Sequence, residues 1–203
     1  MIPGPFGGGA LIRDRGDRKN CQWWIIRAMT DSRRLLQHFL GALAYRTQKA
    51  LRGAPDSFAD FRIAPTARTP FELLWHMTGL IGYARTMLHG GDFEPPRVNS
   101  IAEEVARFHD TLAALSRDFG DASLHATISD EQFLQGPLAD AMTHAGQLAM
   151  LRRVHGTPVP SENFIFATVT AANVSSMQPL PAAPDLDWRA EEPPHPPGPR
   201  RRT

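Results

Sequence analysis

The sequence predicts an all-α protein, a four-helix bundle with irregular extensions at both ends, and three observations lead there. Four stretches between residues 29 and 156 repeat apolar residues at three- and four-residue spacing, the period of a helix with one buried face. Each stretch has a start or stop signal at its ends. No alternating, strand-like period competes until "NFIFATVT", whose β-branched and aromatic residues predict an extended segment after the helices.

The first helix is expected to open at Thr30 or Asp31 as N-cap. Leu35, Leu36, Phe39, Leu40, Leu43, Ala50 and Leu51 form its stripe, and "RGAP" ends it. The second has a stronger start. "TPFE" places Thr69 at the cap, Pro70 at the first helical position and Glu72 at the third, which is a capping box. Leu73, Met77, Leu80, Ala84 and Met87 line one face until "HGGD". The third opens at Asn99 or Ser100, carries Ile101, Val105, Phe108, Leu112, Leu115 and Phe119, and closes at "FGD". The fourth follows "SDEQFLQ", itself a Ser-x-x-Gln cap, and restarts at Gly136-Pro137. Its inner residues are Leu138, Ala141, Ala145, Leu148 and Ala149, and "HGTP" terminates it near His155. Four amphipathic helices of this length bury their stripes best against one another. The link from Gly53 to Thr69 is long enough to cross the end of such a bundle, so simple up-down-up-down order is not assured.

Outside the helices the composition changes. Residues 1–28 are rich in Gly, Pro and Arg without a sustained period, and are expected to form an irregular extension that takes no part in the fold. Residues 29–156 form the bundle, and 157–178 an extended segment packed on it. Eight of the 18 prolines fall after Gln178, so 179–203 reads as a disordered tail with little apolar surface to bury.

A chain of 203 residues with a 42% hydrophobic share has room for one globular domain. The single cysteine, Cys21, excludes an intrachain disulfide framework and fits a reducing compartment. No apolar run approaches the roughly 18 residues of a membrane span, and the N-terminus lacks the apolar centre of a secretory signal, so a cytoplasmic location is expected. Charge is uneven: residues 1–28 carry net +3, residues 179–203 carry none, and the body between is −2. A mildly acidic body is a poor partner for nucleic acid or anionic lipid.

Two polar residues interrupt the inner side of the fourth helix. In "PLADAMTHAG", Asp140 and His144 sit four residues apart on the face that also carries Pro137, Leu148 and Leu151. His76 borders the stripe of the second helix, three residues after Leu73. Polar groups aimed at an apolar interior must be satisfied by each other, by water or by an ion. Two imidazoles and a carboxylate from facing helices would hold a divalent ion with positions left open. The alternative is an ordinary Asp–His hydrogen bond within the helix and a semi-buried His76. Gln147, one turn beyond His144, could reach the ligands or bond another helix. Tyr45 and Tyr83 read as rim or core aromatics, Trp75 as a pocket wall or packing residue, and Arg152 and Arg153 as complements to their own helix dipole. Five of the other six histidines (38, 89, 109, 125 and 155) fall on polar faces or at helix ends.

"TPFELLWHM" on the second helix and "DAMTHAGQLAMLRR" on the fourth resemble the DinB-like (YfiT-like) metalloenzyme superfamily, over roughly residues 30–155 and the "SENF" that follows. The resemblance implies a bacterial four-helix bundle in up-down-down-up order, active as a homodimer on a small-molecule substrate. It also implies a divalent metal held by one histidine of the second helix and two, four residues apart, of the fourth. His76 and His144 match two of these places; Asp140 stands where the family more usually has histidine. A carboxylate there shifts preference toward harder ions such as Fe or Mn, with Zn and Ni still open. Members of that superfamily include transferases that use a low-molecular-weight thiol. A metal-bound thiolate supplies a nucleophile without a protein cysteine, so Cys21 is not required. The same ion could instead activate water for hydrolysis. A non-catalytic binding module remains the alternative from another class.

Overall fold

The computed structural model describes residues 15–182, with side chains over residues 31–182. It is all-helical. In chain order it comprises α1 (Arg15–Leu51), α2 (Pro70–His89), α3 (Ile101–Gly120), a short α4 (Asp130–Phe133) and α5 (Ala139–Val154). Single 3₁₀ turns occupy Asp56–Phe58 and Phe164–Phe166, and no strand occurs among the described residues.

Local chemistry sets most of the helix ends. At α2, the Thr69 side chain accepts from the Glu72 backbone N–H while the Glu72 carboxylate accepts from Thr69 N–H, and Pro70 fills the first turn. Arg62 adds an ion pair to the same carboxylate at 2.9 Å. Ser100 caps α3 by accepting from Glu103 N–H. Ser129 and Gln132 form a second capping box at α4. Gly136 then leaves helical geometry (φ −92°, ψ −106°) ahead of Pro137, which has no N–H to donate, and the chain bends before continuing as α5.

The start of the first helix differs from the sequence expectation. The helix does not begin at Thr30 or Asp31; α1 runs unbroken through both from Arg15, so residues 15–28 are helical and not irregular. The reason is an absence of breakers. No proline occurs between Pro5 and Pro55, and the consecutive apolar residues of "CQWWII" hide the helical period without opposing a helix. Residues 1–14 and 183–203 lie outside the described residues.

α1 packs against α3 and α5, and α2 packs against the same two helices, so the four long helices touch in a closed cycle. Their apolar faces meet in one core that includes the fully buried Leu40, Leu43, Leu74, Met77, Phe108, Leu112, Phe133 and Leu148. Leu35, assigned to the α1 stripe from its spacing, is 71% exposed; the buried row runs instead through Leu36, Leu40, Leu43, Ala44 and Thr47. Two contacts fix which helix ends meet. Arg85 and His89, near the end of α2, pair with Asp118 near the end of α3 at 2.7 and 3.1 Å. Arg152, near the end of α5, reaches across to the end of α1. Its guanidinium donates to the carbonyls of Ala50, Arg52 and Gly53, and also to Thr157. Arg152 thus serves the C-terminal dipole of α1, not that of its own helix as the sequence reading had it.

Residues 157–182 lie back over the helices as a strap. The Glu162 carboxylate accepts from Tyr45 Oη at 2.6 Å and pairs with Lys49 at 2.9 Å. Arg46 stacks 3.7 Å over the Phe164 ring. "NFIFATVT" forms no strand; Asn163 caps a 3₁₀ turn by accepting from Ile165 N–H. The Val174 carbonyl faces His109 Nδ1 at 2.7 Å, and the Gln178 carbonyl accepts from Arg52 at 2.6 Å. His109, placed on a polar face by the sequence reading, is therefore buried.

Candidate metal centre

His76 sits in the second turn of α2, immediately before the buried Met77; Asp140 and His144 occupy successive turns of α5. The α2–α5 packing brings the three together. Asp140 Oδ1 is 3.3 Å from His144 Nε2, and Asp140 Oδ2 is 3.9 Å from His76 Nε2. The two imidazoles meet edge to face with centroids 4.8 Å apart. One donor atom from each residue lies within 4.8 Å of the others.

These donors fit a divalent ion. Bonds of about 2.1 Å at a tetrahedral angle separate ligand atoms by about 3.4 Å. The Asp140–His144 pair already has that separation, and the His76 ring needs to close in by about 1.4 Å at most. Two neutral nitrogens and one carboxylate oxygen suit Zn, Fe, Mn or Ni alike.

The setting is more open than a buried pair in a dry core. His144 is nearly buried, His76 is about a quarter exposed, and the Asp140 side chain is 49% exposed. Asp140 precedes the fully buried Ala141 by one residue, hence by about 100° around the helix, which carries it from the core face to its edge. The cluster therefore presents its carboxylate to solvent, and a ligand can approach from that side.

Electrostatics favour the ligating form of His76. Burial, first, holds its pKa below the ordinary histidine value; the Arg68 guanidinium and His144 act in the same direction, and Asp140 opposes them. A neutral imidazole is the species that binds metal. Arg68, the residue before the Thr69 cap, drew no attention as sequence; its place at the mouth of α2 was its only signal.

Other candidates resolve differently. Gln147 stays within its own helix, its Oε1 2.8 Å from His144 Nδ1. The Trp75 indole N–H donates to the Pro95 carbonyl at 3.3 Å and so ties the α2–α3 link to α2. Tyr45 is buried and bonds Glu162, and Tyr83 is exposed. His155 packs edge-on against Phe58 and Phe61. No described helix is long and apolar enough to cross a membrane. Compared with protein-family models, with curated proteins and with solved structures, the chain matches none.

Proposed function

We propose that this chain is a divalent-metal-dependent enzyme of the DinB-like kind, with His76, Asp140 and His144 as the protein ligands. The observation that carries the reading is the convergence of three donors from two separate helices on a space the size of one ion. The cyclic packing of the long helices supports a four-helix bundle. The shared C-terminal ends of α1 with α5, and of α2 with α3, support the two parallel pairs of an up-down-down-up order.

A divalent ion at this position acidifies a bound thiol or water and so supplies a nucleophile at neutral pH. The chain's own contributions are specific. His76 and His144 offer neutral nitrogens, Asp140 offers charge at the solvent side, and the rigid α2–α5 contact fixes their spacing. Substrate enters past Asp140, the most exposed of the three. A small molecule is the substrate class; thiol-dependent transfer follows from the resemblance, and hydrolysis is the other reaction open to the same centre.

One observation favours a rival. At 3.3 Å, Asp140 and His144 are close enough to form an ordinary ion pair in a non-catalytic helical protein. Metal analysis of tag-free protein, after exposure to Zn, Ni, Mn and Fe(II), separates the two. The metal reading expects about one equivalent in the parent and far less in His144→Ala; a parent that retains no metal establishes the rival.

A further inference from the structure

His144 has both ring nitrogens engaged, and in the neutral imidazole, the form that binds metal, the two engagements conflict unless a cation is present. Nδ1 is 2.8 Å from Oε1 of Gln147. A carboxamide oxygen only accepts, so this contact requires the hydrogen on Nδ1. A neutral imidazole has one N–H, so Nε2 then carries a lone pair. That lone pair points across 3.3 Å at Oδ1 of Asp140, itself an acceptor. Two acceptors at hydrogen-bonding distance repel each other unless a cation stands between them, either the second proton that makes the ion pair or a metal ion, and Nε2 of His76 borders the same space.

We propose that Gln147 is the positioning residue of the centre: by accepting from Nδ1–H of His144 it fixes the tautomer whose Nε2 is free to bind a divalent ion. The inference rests on the metal-binding reading above. Helix geometry makes the arrangement rigid, because residues 140, 144 and 147 fall at four- and three-residue steps along one edge of α5. The opposite orientation of the same amide would have the opposite effect. Its NH₂ would donate to Nδ1, the hydrogen would move to Nε2, and His144 would donate to Asp140 as a closed pair with no lone pair left for an ion. A ligating histidine whose second nitrogen is held in this way typically loses 10–100-fold in metal affinity when the holder is removed.

The test measures Zn(II) affinity of the full chain by competition with a chromophoric chelator, for the parent, Gln147→Leu and Gln147→Glu. Imidazole ¹⁵N NMR of the zinc-loaded parent identifies the ligating nitrogen. Leucine, a good helix former without an acceptor, is expected to weaken zinc binding by about 10–100-fold. Glutamate, which can only accept, is expected to bind at least as tightly as the parent, with His144 ligating through Nε2 and keeping its hydrogen on Nδ1. Gln147→Leu binding as tightly as the parent, or ligation through Nδ1, overturns the inference and leaves the metal centre standing. A parent that binds no zinc overturns both, and so distinguishes the two failures. Should Gln147→Leu melt far below the parent, the glutamate variant and the parent's NMR signature decide alone.

Discussion

Gly41 lies on the buried side of α1, and the Thr170 carbonyl of the strap rests directly on it. A Cβ built at Gly41 would lie 2.3 Å from that oxygen and 3.0 Å from its carbon. Ordinary contacts begin near 3.4 Å, so Gly41→Ala must push the strap outward by about an ångström. Four residues further on, the Val174 carbonyl holds His109 Nδ1 at 2.7 Å, and an added ångström takes that contact beyond hydrogen-bonding distance. His109 is 5% exposed and its Nε2 already has no partner, so the ring would be left buried with both nitrogens unmet. That costs about 1–3 kcal/mol, and loosening the largely buried Val174 adds about 1 kcal/mol. Alanine's better helix propensity returns about 1 kcal/mol, for a net loss of about 1–3 kcal/mol. In a protein of this size the melting temperature should fall by about 2–10 °C, read by thermal unfolding monitored by circular dichroism. Gly146→Ala is the internal control: a Cβ there meets nothing within 4 Å, and the same substitution should be neutral or slightly stabilising. A Gly41→Ala protein that melts at or above the parent would refute the seating of the strap on α1.

Arg152→Leu should cost about 2–4 kcal/mol in chemical denaturation, because the C-terminal carbonyls of α1 lose a buried, charged donor. Arg152→Lys should recover little, since a single ammonium cannot span carbonyls that a planar fork reaches together. Burial, partly offset by the Val174 carbonyl and Asp110, holds His109 below its ordinary value; the unfolded chain therefore binds the proton more tightly. Stability from this group is complete above about pH 6.5 and declines as pH falls from there toward the folded-state value, and His76 acts in the same sense. His109→Phe should flatten that part of the stability–pH curve, measured by denaturant midpoints between pH 7 and 5; an unchanged slope would contradict the burial argument. Asp140→His should retain metal but favour Zn over Mn in competition, because a third imidazole removes the only hard, charged ligand. An unchanged preference would place Asp140 outside the ligand set.

The helices were legible in the sequence wherever local rules suffice. The capping box at Thr69–Glu72, the caps at Ser100 and Ser129, and the break at Gly136-Pro137 all rest on interactions within one turn, which a linear reading can see. The start of α1 was not legible. A Thr-Asp-Ser run that resembles a cap does not end a helix when no breaker precedes it, and the Ser32 side chain bonds Asp130 from another element. "NFIFATVT" has strand composition, yet among the described residues no strand lies beside it; its backbone settles into a 3₁₀ turn under Arg46 and Lys49. His109 could have been found, since it continues the Val105–Phe108–Leu112 stripe, but its partner Val174 is 65 residues away.

For the candidate centre the division is sharper. Spacing alone placed Asp140 and His144 on one side of one helix, because a four-residue step is a property of the helix itself. Tertiary packing decided what no periodicity contains: that His76 of α2 faces that pair across 3.9 Å, and that Asp140 stands at the solvent edge. Within a helix, distance along the chain fixes distance in space. Between helices only the fit of two packed faces does, and that fit depends on every side chain of the core.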